Sequence, residues 1–100
     1  DPLAAVLELG QNYPNPFSHS SHSMTSISYA VAAAGDVRVQ IYDTRGALLR
    51  TLVNATQEAG THVVNWDGRD ETGRVAASGS YRYVLTMDGR SVSRNMVVVK

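Results

Sequence analysis

Few side chains in this sequence stand where they could do chemistry. Asp67, Asp70 and Glu71 crowd into a glycine-flanked loop, Asn65-Trp66-Asp67-Gly68-Arg69-Asp70-Glu71-Thr72-Gly73. Oxygen-rich loops of this kind can bind calcium, but the full EF-hand spacing is absent. Asp67 and Asp70 are also suited to capping turns by bonding their own backbone. Turn capping is the ordinary reading, and the three carboxylates stand only as weak calcium candidates. A bound ion there would stiffen a loop and do no chemistry. His19 and His22 lie close together, with His62 far along the chain. Without cysteine or a nearby carboxylate cluster they make no zinc set, and they read as a solvated loop. His62 reads as a strand residue packing beside Val64 and Trp66. No metal and no cofactor is expected.

Catalysis fares no better. There is no cysteine, and no serine sits in a nucleophile-elbow pattern. A glycosidase pair would have to come from Asp67, Asp70 or Glu71, which share one short loop and cannot face each other across a sugar. No glycine-rich phosphate loop appears. The expectation is a chain that is not an enzyme. Trp66, with Tyr13, Tyr29, Tyr42, Tyr81 and Tyr83, invites sugar stacking as an alternative. Most of these fall on the apolar face of their strand, which predicts burial. Tyr42 is the exception, opposite Val39 and Ile41, and one exposed tyrosine makes no sugar platform.

The elements that must position these residues are strands. From Met24 to Val31, Ile27, Tyr29 and Val31 share a face, and from Asp36 to Asp43 so do Val37, Val39 and Ile41. Ala47 to Val53 sets Leu48 and Leu52 together across Arg50. Thr61 to Asp67 sets His62 with Val64 and Trp66. Ser80 to Asp88 aligns Tyr81, Tyr83, Leu85 and Met87, and Ser91 to Lys100 aligns Val92, Met96 and Val98. A further short apolar stretch, Ala5 to Leu9, precedes the prolines. Period-two alternation throughout, with no sustained helical period, predicts about seven strands in an antiparallel, immunoglobulin-like all-β sandwich. The turns agree. Asp43-Thr44-Arg45-Gly46 suits a type I turn, and Asp88-Gly89 a two-residue type I′ hairpin.

With 100 residues, 43% of them hydrophobic and 18% charged, the chain fits one modestly cored domain. Its nine basic and nine acidic side chains cancel. That predicts no electrostatic footprint for nucleic acid and no polybasic patch for anionic membrane. No apolar run approaches the roughly 20 residues that span a bilayer, so no membrane insertion is expected. The chain opens at Asp1-Pro2 with neither an initiator methionine nor a signal-peptide pattern. It reads as a fragment of a larger, N-terminal parent protein that supplies the export signal and the activity. Residues 1–10 form a linker and first short strand, and residues 11–100 the domain proper.

Two stretches remain. Gln11-Asn12-Tyr13-Pro14-Asn15-Pro16-Phe17 stands near the front, and Pro14 and Pro16 each fix φ and press the residue before them toward extended geometry. Such a rigid segment cannot pair as a central strand. It could set how the first strand docks at an edge, and it could also be recognised by a partner. At the back, Ala77-Ser78-Gly79-Ser80-Tyr81 runs into a strand ending Met96-Val97-Val98-Val99-Lys100.

Together with Ile41-Tyr42-Asp43-Thr44-Arg45-Gly46 and the Trp66-Asp67-Gly68 loop, these stretches resemble the type A carboxy-terminal sorting domain carried by cargo of the type IX, or Por, secretion system. The resemblance covers roughly residues 9–100. The same pattern is also similar to the immunoglobulin-like domain family of the flagellar hook-capping protein, a structural module. The leading Gln-Asn-Tyr-Pro-Asn-Pro-Phe and the lysine terminus favour the sorting family. Here the leading segment continues through a longer, histidine-bearing Ser18–Ser23 stretch than that family usually has. The sorting resemblance implies that Asn12, Pro14, Asn15, Pro16, Phe17, Gly79, Tyr81, Met96, Val98 and Lys100 carry the signal. It implies a type IX translocon and a sortase-like peptidase as partners, and removal of the domain at or just before the stretch preceding Gln11. It also implies a Bacteroidetes-type host. The cargo would travel through the periplasm and outer membrane to the cell surface or medium. A structural or carbohydrate-binding accessory module of a secreted enzyme is the alternative.

Overall fold

The computed structural model describes residues 7–99, and every regular element in it is a strand. There are eight: β1 (Leu7–Leu9), β2 (Phe17–Ser18), β3 (Thr25–Val31), β4 (Gly35–Tyr42), β5 (Leu48–Gln57), β6 (Gly60–Trp66), β7 (Gly79–Met87) and β8 (Arg90–Val99). They form a three-stranded sheet, β1-β3-β6, and a five-stranded sheet, β2-β8-β7-β4-β5. Ala5 and Val6 of the expected first stretch and the terminal Lys100 lie outside the described residues.

Alternation decides the faces of β3, β4 and β7. Ile27, Tyr29 and Val31, then Val37, Val39 and Ile41, then Tyr81, Tyr83, Leu85 and Met87 are all buried between the sheets. Each large side chain so buried contributes about 1.5–3 kcal/mol against remaining in water. Trp66, Tyr83 and Phe17 are the largest of the fully buried group. Asp88 and Gly89, at φ 53° and 75°, close the β7–β8 hairpin as two-residue I′ geometry requires.

Three expectations need correction. The sandwich is not wholly antiparallel, because β2 pairs parallel with β8, Phe17 opposite Val98 and Ser18 opposite Val99. With that two-residue strand the described residues hold eight strands, in keeping with the expected count of about seven. Secondly, β5 runs on to Gln57, and Leu48 is 50% exposed rather than sharing an inner face with Leu52. Register shifts between Val39 and Gln40 and between Ile41 and Tyr42 break the period, so Leu49, Leu52 and Val53 pack on the core instead. Thirdly, Tyr13 is 81% exposed and joins Tyr42 as an exception, whereas Trp66, Tyr29, Tyr81 and Tyr83 are buried as expected.

Candidate functional site

The two stretches singled out in the sequence meet in space. The chain leaves β1 in the three-stranded sheet, and Tyr13 still bridges Ser26 of β3 through Tyr13 N–Ser26 O at 2.9 Å and Ser26 N–Tyr13 O at 2.8 Å. Pro14 and Pro16, both preceded by cis peptide bonds, then carry it across to the five-stranded sheet, where β2 joins β8. Neither proline interrupts a ladder, which is where proline is tolerated.

Asn12 anchors this crossing from inside. It is 2% exposed. Its Nδ2 donates to Pro14 O at 3.2 Å and to Thr25 Oγ1 at 3.1 Å, and its Oδ1 accepts from Gln11 Nε2 at 2.7 Å. Thr25 Oγ1 in turn donates to Pro14 O at 3.0 Å. The Tyr83 hydroxyl accepts from Asn12 N at 2.9 Å and donates to Gly10 O at 2.7 Å. Burial raises the Tyr83 phenol above its ordinary pKa, with the Asn12 amide and Arg94 pulling partly the other way. Thr25 was not singled out from the sequence. Its signal was an inward position in phase with Ile27, Tyr29 and Val31, where a hydroxyl needs a partner.

Downstream, the segment covers the outer edge of β8. Gln11 Nε2 donates to Asn95 O at 2.9 Å, Asn15 Oδ1 accepts from Val97 N at 3.0 Å, and His19 N donates to Val99 O at 2.9 Å. The side chains of Phe17, Met96 and Val98 all lie in the core. The terminal strand is therefore flanked on both sides between Asn95 and Val99. The edge groups of β8 there are bonded within the domain and are not left open for strand addition.

Gly79 and Tyr81 open β7. Gly79 has φ 158°, a conformation that L side chains rarely adopt, although an added Cβ would meet no atom within 4 Å. Tyr81 carries the more definite role. Its hydroxyl donates to Ala77 O at 2.5 Å, four residues upstream, a tyrosine corner of the kind found in immunoglobulin-type sandwiches. Its ring meets Trp66 edge-on at 6.1 Å, and Trp66 meets Phe17 at 6.2 Å, so one aromatic chain joins both stretches.

The acidic loop is committed elsewhere. Asp67 Oδ1 accepts from Arg69 N at 3.0 Å and from the Arg50 guanidinium at 3.2 Å, and Glu71 Oε1 meets Arg50 Nε at 3.1 Å. Asp70 Oδ1 accepts from Thr72 Oγ1 at 2.7 Å, Thr72 N at 2.9 Å and Arg74 N at 3.0 Å. The Thr72 hydroxyl, then the Arg74 amide, hold the Asp70 carboxyl below the usual carboxylate range. Arg50, absent from the sequence-based candidates, is the residue that claims Asp67 and Glu71. Among the described residues no three acidic, histidine or cysteine side chains gather as a metal set.

His19 and His22 do not face solvent alone, as expected of a loop. Both rings lie against Phe17, at 5.1 and 6.3 Å, and His19 Nε2 sits 3.1 Å from Gly68 O. Gly68, at φ 78°, allows this approach, since a Cβ would fall 2.0 Å from His19 Nε2 and 2.7 Å from Phe17 Cε2. His62 stacks on Tyr29 at 5.4 Å.

The family model of the FlgD Ig-like domain matches residues 16–91. The chain belongs to that family. Its sandwich is accordingly immunoglobulin-like. No curated protein matches the sequence. Among solved structures, the chain is similar to PorZ, an essential bacterial surface component of the type-IX secretion system of Porphyromonas gingivalis. That likeness has 26% identity and a TM-score of 0.64, over 90% of this chain and 11% of that one. Dimeric latent PorU from the same bacterium is similar in fold, with 21% identity and a TM-score of 0.67, over 94% of this chain and 9% of that one. FlgD from P. aeruginosa shares the fold at 20% identity and a TM-score of 0.58, over 94% of this chain and 66% of that one. The domain thus spans only about a tenth of PorZ and PorU.

Proposed function

We propose that this FlgD Ig-like domain is a non-catalytic sorting domain of the type IX secretion system. It directs a larger parent protein across the outer membrane, and a sortase-like peptidase then removes it as the cargo is anchored at the surface or released. The observation that carries this reading is the seam itself. The leading Gln11–Phe17 segment and the final strand, the two stretches that resemble a sorting signal, are bonded together along one edge through Gln11–Asn95, Asn15–Val97 and Phe17–Val98. A reader of the signal would meet one rigid surface assembled from both ends of the domain. The similarity to PorZ, a component of that system, supports the same direction.

The test compares a periplasm-exported fluorescent protein fused to residues 1–100 with one fused to residues 1–95, in a type IX-competent bacterium. Export of the first and retention of the second is expected; equal surface display of both would remove the reading. A second reading, a purely structural module, is favoured by the likeness to P. aeruginosa FlgD. It predicts retention of both fusions.

A further inference from the structure

The outer face of the five-stranded sheet carries a cleft that borders the seam at Asn95 and Val97. Its volume is about 600 Å³, within the range of small-molecule sites. Tyr42, Arg82 and Asn95 stand side by side across it, because Tyr42 is the register partner of Arg82 and Arg82 that of Asn95. In the sequence Tyr42 stood alone. The sheet gives it two polar neighbours forty or more residues away in the chain.

The Tyr42 ring is fixed in place. Its hydroxyl donates to Gln40 Oε1 at 3.1 Å, two residues back on the same face, and Gln40 Nε2 donates to Thr51 Oγ1 at 3.3 Å. Arg82 and Asn95 are exposed, and among the described residues neither the guanidinium nor the side-chain amide has a hydrogen-bond partner in the protein. The Asp43-Thr44-Gly46 turn walls one side. Asp43 remains a carboxylate, since the Ala47 and Arg45 amides hold its pKa below the ordinary value. Val84 and Val97 supply apolar floor.

We infer that this cleft binds a neutral sugar unit of a glycan. A flat, tethered ring suits the apolar face of a pyranose. A guanidinium donor, an amide that donates and accepts, and a carboxylate acceptor suit its hydroxyls. Asp43, paired with Arg45 at 3.4 Å, still sets a carboxylate beside Arg82, so the cleft is not purely cationic. A peptide strand would need free backbone groups, and at this face β4, β7 and β8 have spent theirs on one another.

The experiment is NMR titration of the 1–100 chain with laminarihexaose, cellohexaose, xylohexaose and mannohexaose, with hexagalacturonate as the acidic comparison. At least one neutral hexasaccharide should shift the amides of Tyr42, Arg82 and Asn95. Tyr42→Ala and Arg82→Ala should each weaken that binding about tenfold or more, a loss of about 1.4 kcal/mol. Tyr42→Phe keeps the ring but cuts the bond to Gln40, and should weaken binding less than Tyr42→Ala does. Binding of hexagalacturonate alone, no shift with any neutral probe at millimolar concentration, or shifts that survive both alanine variants would overturn the assignment. Reporter export does not enter these readouts, so the sugar site and the sorting role fail separately.

Discussion

The hydroxyl of Tyr83 holds the backbone at Asn12, accepting from its amide at 2.9 Å while donating to Gly10 O at 2.7 Å. A single buried phenol on β7 thus fixes the point where the chain prepares to leave one sheet for the other. Tyr83→Phe leaves that amide and carbonyl without their partner. A loss of about 1–3 kcal/mol is expected, read as a lower urea midpoint with an unchanged slope.

Asn12 and Asn15 should separate cleanly. Asn12 is 2% exposed and its side chain ties Gln11, Pro14 and Thr25 together. Asn12→Ala is expected to cost about 1–3 kcal/mol. Asn15 is exposed and makes one bond, to Val97 N. Asn15→Ala should cost less than about 1 kcal/mol by the same denaturation measurement. Equal losses would mean that the buried network is not what holds the crossing.

Much of this was legible in the sequence, and the remainder has a common cause. Period two placed Ile27, Val39 and Tyr83 inward because burial on one face of a strand is a local property. Leu48 escaped because its face depends on bulges against β4, which arise from the pairing and not from the strand's own pattern. The parallel β2–β8 contact, the partners of Asn12 and the approach of His19 to Gly68 all join residues far apart in the chain. Residue types alone carry no trace of them. Arg50 likewise lies seventeen or more residues from the carboxylates it neutralises.

Gly68 makes a graded test of close approach. Gly46 and Gly68 both have left-handed φ, 83° and 78°, but only Gly68 faces neighbours. Gly46→Ala should cost about 1–2 kcal/mol from the backbone alone. Gly68→Ala should cost more, because the new methyl displaces the His19 ring and presses on Phe17, which is fully buried. Unfolding midpoints of the two variants, measured side by side, check the order.

Alkaline pH should destabilise the domain. Burial raises the phenols of Tyr83, Tyr29 and Tyr81 above their ordinary value. The folded state therefore holds protons that the unfolded chain releases from about pH 10 upward. Stability from these groups is complete below that pH and is lost as pH climbs through the folded values. The melting temperature should be level near neutrality and fall above about pH 10. Tyr83→Phe should make that fall shallower.

Calcium should leave the melting temperature unchanged. Asp67 and Glu71 are paired with Arg50, and Asp70 caps its own turn. An ion would have to displace the guanidinium. Melting in calcium chloride and in chelator checks this, and a rise with calcium would show that the loop rearranges to bind it.

The most direct measurement is surface fluorescence from the residue 1–100 reporter fusion in two otherwise identical strains, one with a working type IX system and one without. Fluorescence at the surface or in the medium of the competent strain alone is expected of a sorting domain. Fluorescence held in the periplasm of both strains would contradict it.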